Sequence, residues 1–62
     1  MKIKEAAQRS GLSAKTVRYY EECRLLTVSR SANTYREYSE ENVQELLRIR
    51  QMRELGIAVA DI

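Results

Sequence analysis

Lys15, Arg18 and Tyr19 are the residues whose types and spacing best fit a chemistry. If residues 14–22 are helical, successive side chains step by about 100° around the axis. Lys15, Arg18, Tyr19 and Glu22 then share one face, while Val17 and Tyr20 share the other with Ala14 and Glu21 at its margin. Two cations and a phenol on one face offer donors to phosphate oxygens and base edges, and the major groove of duplex DNA is wide enough to admit a helix. A second basic and aromatic group follows at Tyr35, Arg36 and Tyr38. Alternate residues of a strand share a face, so Tyr35 and at most one neighbour pack inward. An arginine on such an arm suits phosphate or minor-groove contact. Exposed lysine and arginine are also common on solvated helix faces, and tyrosines can cap a core with their hydroxyls in water. The recurrence of the pattern therefore carries more weight than either group alone.

Other chemistries find little support. The chain has no histidine and one cysteine, which leaves neither a disulfide framework nor a zinc site. No nucleophile and base can be paired, so no catalytic residue, no metal ligand and no cofactor is expected in this stretch. Cys23 reads as a small core residue of a reducing compartment. No apolar run approaches the roughly 20 residues of a membrane span, and Met1-Lys2-Ile3-Lys4 lacks the apolar stretch of a signal peptide. A cytoplasmic protein without membrane contact is the expectation.

The elements that must position these residues follow from periodicity and caps. Ile3, Ala6, Ala7 and Ser10 recur at helical spacing, and Gly11 follows as a stop that tolerates a left-handed backbone. Leu12 then precedes Ser13, whose hydroxyl can cap a second helix from Ala14 to about Glu22. A three-residue link containing glycine is what a helix-turn-helix requires. From Leu25 to Tyr38 the helical period disappears. Leu25 and Leu26 read as anchors returning the chain to the core, and residues 27–29 and 34–38 have the β-branched and aromatic content of short strands around a turn at 30–33. Ser39 caps a third helix expected to run to Leu55, with Glu40 and Glu41 in its first turn and Gly56 as its stop. Val43, Leu46, Ile49, Met52 and Leu55 step by three, so the apolar stripe drifts by about 60° per step around the helix. One end of this helix can pack on the helix-turn-helix and the other on whatever follows. Residues 57–62 resume an apolar pattern and are expected to begin a further helix. The fold class predicted is mainly α, a winged helix-turn-helix with a short β-hairpin wing.

The net charge of +2 is unevenly spread. Residues 1–27 hold six basic side chains against three acidic, giving +3; residues 28–38 hold two against one, giving +1; residues 39–62 hold three against five, giving −2. A footprint for phosphate therefore falls on the first two-thirds of the chain. With 62 residues, one modest core is possible, and such a core seldom supplies more than about 3–5 kcal/mol without a staple or a partner subunit.

As a set, Gly11-Leu12-Ser13, Lys15-Thr16-Val17-Arg18-Tyr19-Tyr20-Glu21, Leu25-Leu26, Tyr35-Arg36-Glu37-Tyr38-Ser39 and Arg53-Glu54-Leu55-Gly56-Ile57 resemble the N-terminal domain of the MerR family of transcription regulators. The resemblance covers nearly the whole chain. It implies promoter-DNA binding with Lys15, Thr16, Arg18 and Tyr19 on the recognition helix and Ser13 near a phosphate at its N-terminus. Tyr35 and Arg36 would act from the wing and Arg53 from the third helix, and residue type adds Tyr38 to the wing's candidate contacts. It further implies double-stranded DNA as direct partner, RNA polymerase as indirect partner, and a homodimer formed through a C-terminal helix beyond residue 62, with symmetric half-sites mirroring the protein's two-fold axis.

Three positions depart from the family pattern. Arg24 stands where glycine is usual, so a left-handed backbone there would cost energy. No proline follows Leu26, and Asn33-Thr34 replace the glycine usual before Tyr35. Two other readings stay open: a module of the same fold in a recombinase or an excisionase-like architectural protein, and a helical protein-interaction domain whose basic face meets an acidic partner.

Overall fold

In the computed structural model, residues 1–30 and 36–62 are described, and for Ser29, Arg30 and Arg36 only the backbone is. Among the described residues the fold is mainly helical, with three α-helices, α1 (Ile3–Ser10), α2 (Ala14–Glu22) and α3 (Glu40–Glu54). Two short strands, β1 (Ser29–Arg30) and β2 (Arg36–Glu37), pair antiparallel with Ser29 opposite Glu37 and Arg30 opposite Arg36. β1 thus lies later than residue type predicts: Thr27 and Val28 are outside it, and Arg30, expected in the turn, is paired with Arg36. The rest of the expected turn, Ser31, Ala32 and Asn33, lies outside the described residues, as do Thr34 and Tyr35.

The two expected serine caps are formed. Ser13 Oγ accepts the Thr16 backbone N–H at 3.1 Å, satisfying one of the donors that the first turn of α2 leaves unpaired. At α3 the exchange is reciprocal: Ser39 Oγ accepts the Asn42 N–H at 3.1 Å, and Asn42 Oδ1 accepts the Ser39 N–H at 2.9 Å. Asparagine thus fills the place that glutamate or glutamine usually takes in a capping box.

All three helices end alike. Leu12 N–H donates to Ala7 O at 3.0 Å, Leu25 N–H to Tyr20 O at 3.1 Å and Ile57 N–H to Met52 O at 3.1 Å. Each bond closes the six-residue loop of a Schellman motif around a left-handed residue. That residue is Gly11 (φ 72°), Arg24 (φ 63°) and Gly56 (φ 86°) in turn. At residue 24, where the resemblance leads to an expectation of glycine, an arginine takes the left-handed conformation. After Gly56 come residues 57–62, whose apolar pattern predicts the start of a further helix. They form a single 3₁₀ turn, Val59–Asp61, closed by Asp61 N–H to Ala58 O at 2.9 Å. Tight i→i+3 bonding is the usual form of so short a piece, and Val59 and Ile62 pack against the core.

Ala6 and Ala7 of α1, Val17 and Tyr20 of α2, Leu26, Tyr38, and Leu46 and Ile49 of α3 form one buried cluster. The drifting stripe of α3 behaves as its spacing requires. Val43, Leu46 and Ile49 are buried, Met52 is half-buried and Leu55 is 75% exposed. Polar contacts tie the irregular segments down. Asn42 Nδ2 donates to Thr27 O at 2.9 Å, and Tyr38 N–H donates to Met1 O at 2.7 Å. The Met1 ammonium donates to Tyr38 O at 2.6 Å and to Glu37 Oε2 at 2.7 Å. Arg9 links α1 to α3 through an ion pair with Glu40.

Candidate nucleic-acid interface

The two faces of α2 separate as residue type predicts. Val17 and Tyr20 are buried, Ala14 and Glu21 half-buried, and Lys15, Arg18, Tyr19 and Glu22 exposed. Burial of one face fixes the other outward: turning α2 enough to hide Arg18 would bring Val17 into water, at a cost of about 1.5–3 kcal/mol for a fully buried side chain of its class. Ser13 and Thr16 sit at the start of the same helix, their hydroxyl oxygens 2.9 Å apart. Ser13 is exposed and Thr16 half-buried, so the N-terminus of α2, with the positive end of its dipole, shares the surface of Lys15 and Arg18.

Tyr19 is 51% exposed and its ring lies 5.8 Å from that of Tyr20. Interaction with the side chain of the half-buried Cys23, hydrogen bonding first, and then desolvation push the phenol above its ordinary value, while the Arg53 guanidinium pulls it back. Tyr19 is therefore a neutral hydroxyl at physiological pH. Arg53 is exposed and its Nη1 donates to Ile57 O at 2.8 Å. Its fork carries five N–H donors, so closing the end of α3 does not exhaust it.

The remaining residues fare differently. The backbone of Arg36 lies in β2, and Tyr35 lies outside the described residues. Tyr38 is corrected outright. At 2% exposure it belongs to the core and presents no surface to a ligand. The hydrogen bonds of the Tyr38 backbone with Met1 hold it beside the start of the chain.

Two further arginines were not among the expected contacts. Arg24 is exposed at the left-handed stop of α2, and its departure from the family glycine was the available signal. Arg50 reaches from α3 to the end of α1, where its Nη1 donates to Ser10 O at 3.2 Å. Its place one helical turn after Leu46 was the signal there. Among the described residues no three histidine, cysteine, aspartate or glutamate side chains are grouped to hold a metal ion, and no helix is long and apolar enough to cross a membrane.

The profile of the MerR HTH family of regulatory proteins matches residues 1–62. The chain belongs to the MerR family. It is 43% identical over 61 residues to the HTH-type transcriptional regulator HmrR of Rhizobium leguminosarum bv. viciae, an alignment covering 98% of this chain and 47% of that protein. To the HTH-type transcriptional regulator CueR of Yersinia pestis it is 38% identical over 60 residues, covering 95% of this chain and 43% of the relative. The crystal structure of a putative MerR family transcriptional regulator from Listeria monocytogenes superposes with a TM-score of 0.90 at 38% identity, over 97% of this chain and 46% of that one. The MerR-family chain described here thus spans about half the length of the relatives it matches.

Proposed function

We propose that this MerR-family domain binds promoter DNA sequence-specifically and catalyses no reaction. In this reading α2 enters the major groove, with Lys15, Arg18 and Tyr19 on base edges and phosphates and Ser13 and Thr16 at the helix N-terminus on the flanking backbone. The chain around β1 and β2 acts as a wing, with Arg36 and Tyr35 on backbone or minor groove. Arg53 adds a further cation from α3. The whole regulator binds in the cytoplasm as a homodimer on symmetric half-sites and affects RNA polymerase through the DNA. The observation that carries the reading is the partition of α2, whose basic and phenolic face is exposed while its apolar face is buried.

The test is binding of the domain and of its Arg36→Ala variant to random and selected duplexes at two salt concentrations. Selective binding that falls with salt and weakens in the variant supports the reading, since removing one phosphate-binding cation lowers the salt slope by about one. Indifference to DNA sequence, salt and substitution overturns it and favours a protein-interaction role.

A further inference from the structure

Arg50 takes part in none of the contacts assigned to DNA. It stands four residues after Leu46, which is fully buried, so its stem leaves α3 at the margin of the core. From there the guanidinium reaches across to the end of α1. Nη1 donates to Ser10 O at 3.2 Å, while Nε lies 3.3 Å from Glu54 Oε1 on its own helix. Ser10 is the last residue of α1, and its carbonyl is among those that a helix end leaves without a partner. A cation there also meets the negative end of the helix dipole.

The same guanidinium covers Gly11. A Cβ on that residue would collide with Arg50 Nη1 and come within 3.1 Å of Cζ. Gly11 opens the three-residue link to α2, and its left-handed φ of 72° sets the direction in which the chain leaves α1. The positive φ is what favours glycine here; a Cβ would in addition push the end of the Arg50 side chain off the turn. One side chain of the third helix is packed against the turn that orients the second.

We infer that Arg50 is a positioning residue for the recognition helix. It fixes the Gly11 turn from outside the helix pair, and so sets the angle at which Lys15, Arg18 and Tyr19 are presented, without itself contacting DNA. Glu54 holds the fork from behind and limits its wandering. The inference rests on the DNA-reading function proposed above.

Arg50→Met and Arg50→Lys variants, each checked by thermal melting, are titrated with selected and random duplexes at two salt concentrations. The expected result for Arg50→Met is a several-fold loss of affinity for the selected duplex, little loss for the random one, and an unchanged salt slope, with Arg50→Lys intermediate. Equal losses on both duplexes with a salt slope lower by about one make Arg50 a phosphate contact and overturn the inference. A lower melting temperature with selectivity intact makes it merely structural and overturns it too. A double-mutant cycle on stability reads the contact directly. Gly11→Ala should cost less in an Arg50→Ala background than in the wild type, and strict additivity counts against the inference. Failure of the DNA-reading function shows differently, as a wild-type domain that does not discriminate between the duplexes at all.

Discussion

Arg18 is the residue on which specificity should turn. It is exposed in the middle of α2, and the burial of Val17 and Tyr20 leaves the helix one orientation. A bidentate arginine on a guanine edge is worth about 1–3 kcal/mol of discrimination. Arg18→Ala should therefore lower affinity and relax preference at one base pair of the selected site, measured by competition between single-base variants of the duplex. An unchanged preference profile would remove Arg18 from the reading face.

Glu37 poses a different question at the same scale. Its hydrogen bond with the Met1 ammonium, and then the charge of that group, hold its carboxyl below the usual carboxylate range. A depressed folded-state value means stabilisation that is present above the unfolded value and lost as pH falls through the folded one. Glu37→Gln should thus melt below the wild type near neutral pH, and the gap should close as the solution is made acidic. A gap that stays constant with pH would show that the ion pair is not its source.

At the scale of elements, the stop of α2 is where local preference and fold conflict. Arg24 occupies a left-handed conformation (φ 63°) because the Schellman bond from Leu25 to Tyr20 requires it. For an L-residue this costs roughly 1–2 kcal/mol, whereas glycine adopts it freely and instead loses about 0.5–1 kcal/mol more in chain entropy. Arg24→Gly should accordingly stabilise the domain by up to about 1.5 kcal/mol, read as a raised midpoint of thermal unfolding. A lowered midpoint would mean that the arginine side chain contributes more than its backbone costs.

Which elements could be read from the sequence follows from the same physics. Caps and stops are local, so Ser13, Gly11, Ser39 and Gly56 announce their roles by type. The faces of α2 could be read because one turn of helix sorts apolar from basic residues without reference to anything distant. Tyr38 could not, because its burial depends on the start of the chain pairing beside it, 37 positions away. The reach of Arg50 to Ser10 spans 40 positions and is equally invisible to a local pattern. Residues 57–62 carry an apolar pattern too short to choose between an α-helical and a 3₁₀ turn.

At the scale of the whole molecule, the small core makes every buried side chain count while leaving the outward face free to vary. Leu46 is fully buried where α3 meets the cluster of Ala6, Val17, Tyr20 and Tyr38. Truncating such a leucine to alanine costs about 2–5 kcal/mol, against a total of about 3–5 kcal/mol for a core of this size. The Leu46→Ala domain should therefore be marginally stable at 25 °C, with a substantial unfolded population visible as signals of collapsed dispersion in its NMR spectrum. Arg18→Ala, which removes only exposed atoms, should melt within about 0.5 kcal/mol of the wild type. The two variants would then lose DNA binding for different reasons. Adding selected duplex in large excess should recover part of the Leu46→Ala fold, because a ligand that binds only the folded state draws the equilibrium towards it. No excess of DNA should restore base preference to Arg18→Ala. If duplex fails to refold Leu46→Ala while still binding the wild type tightly, the core damage extends to the presentation of α2, and folding and recognition in this domain cannot be separated.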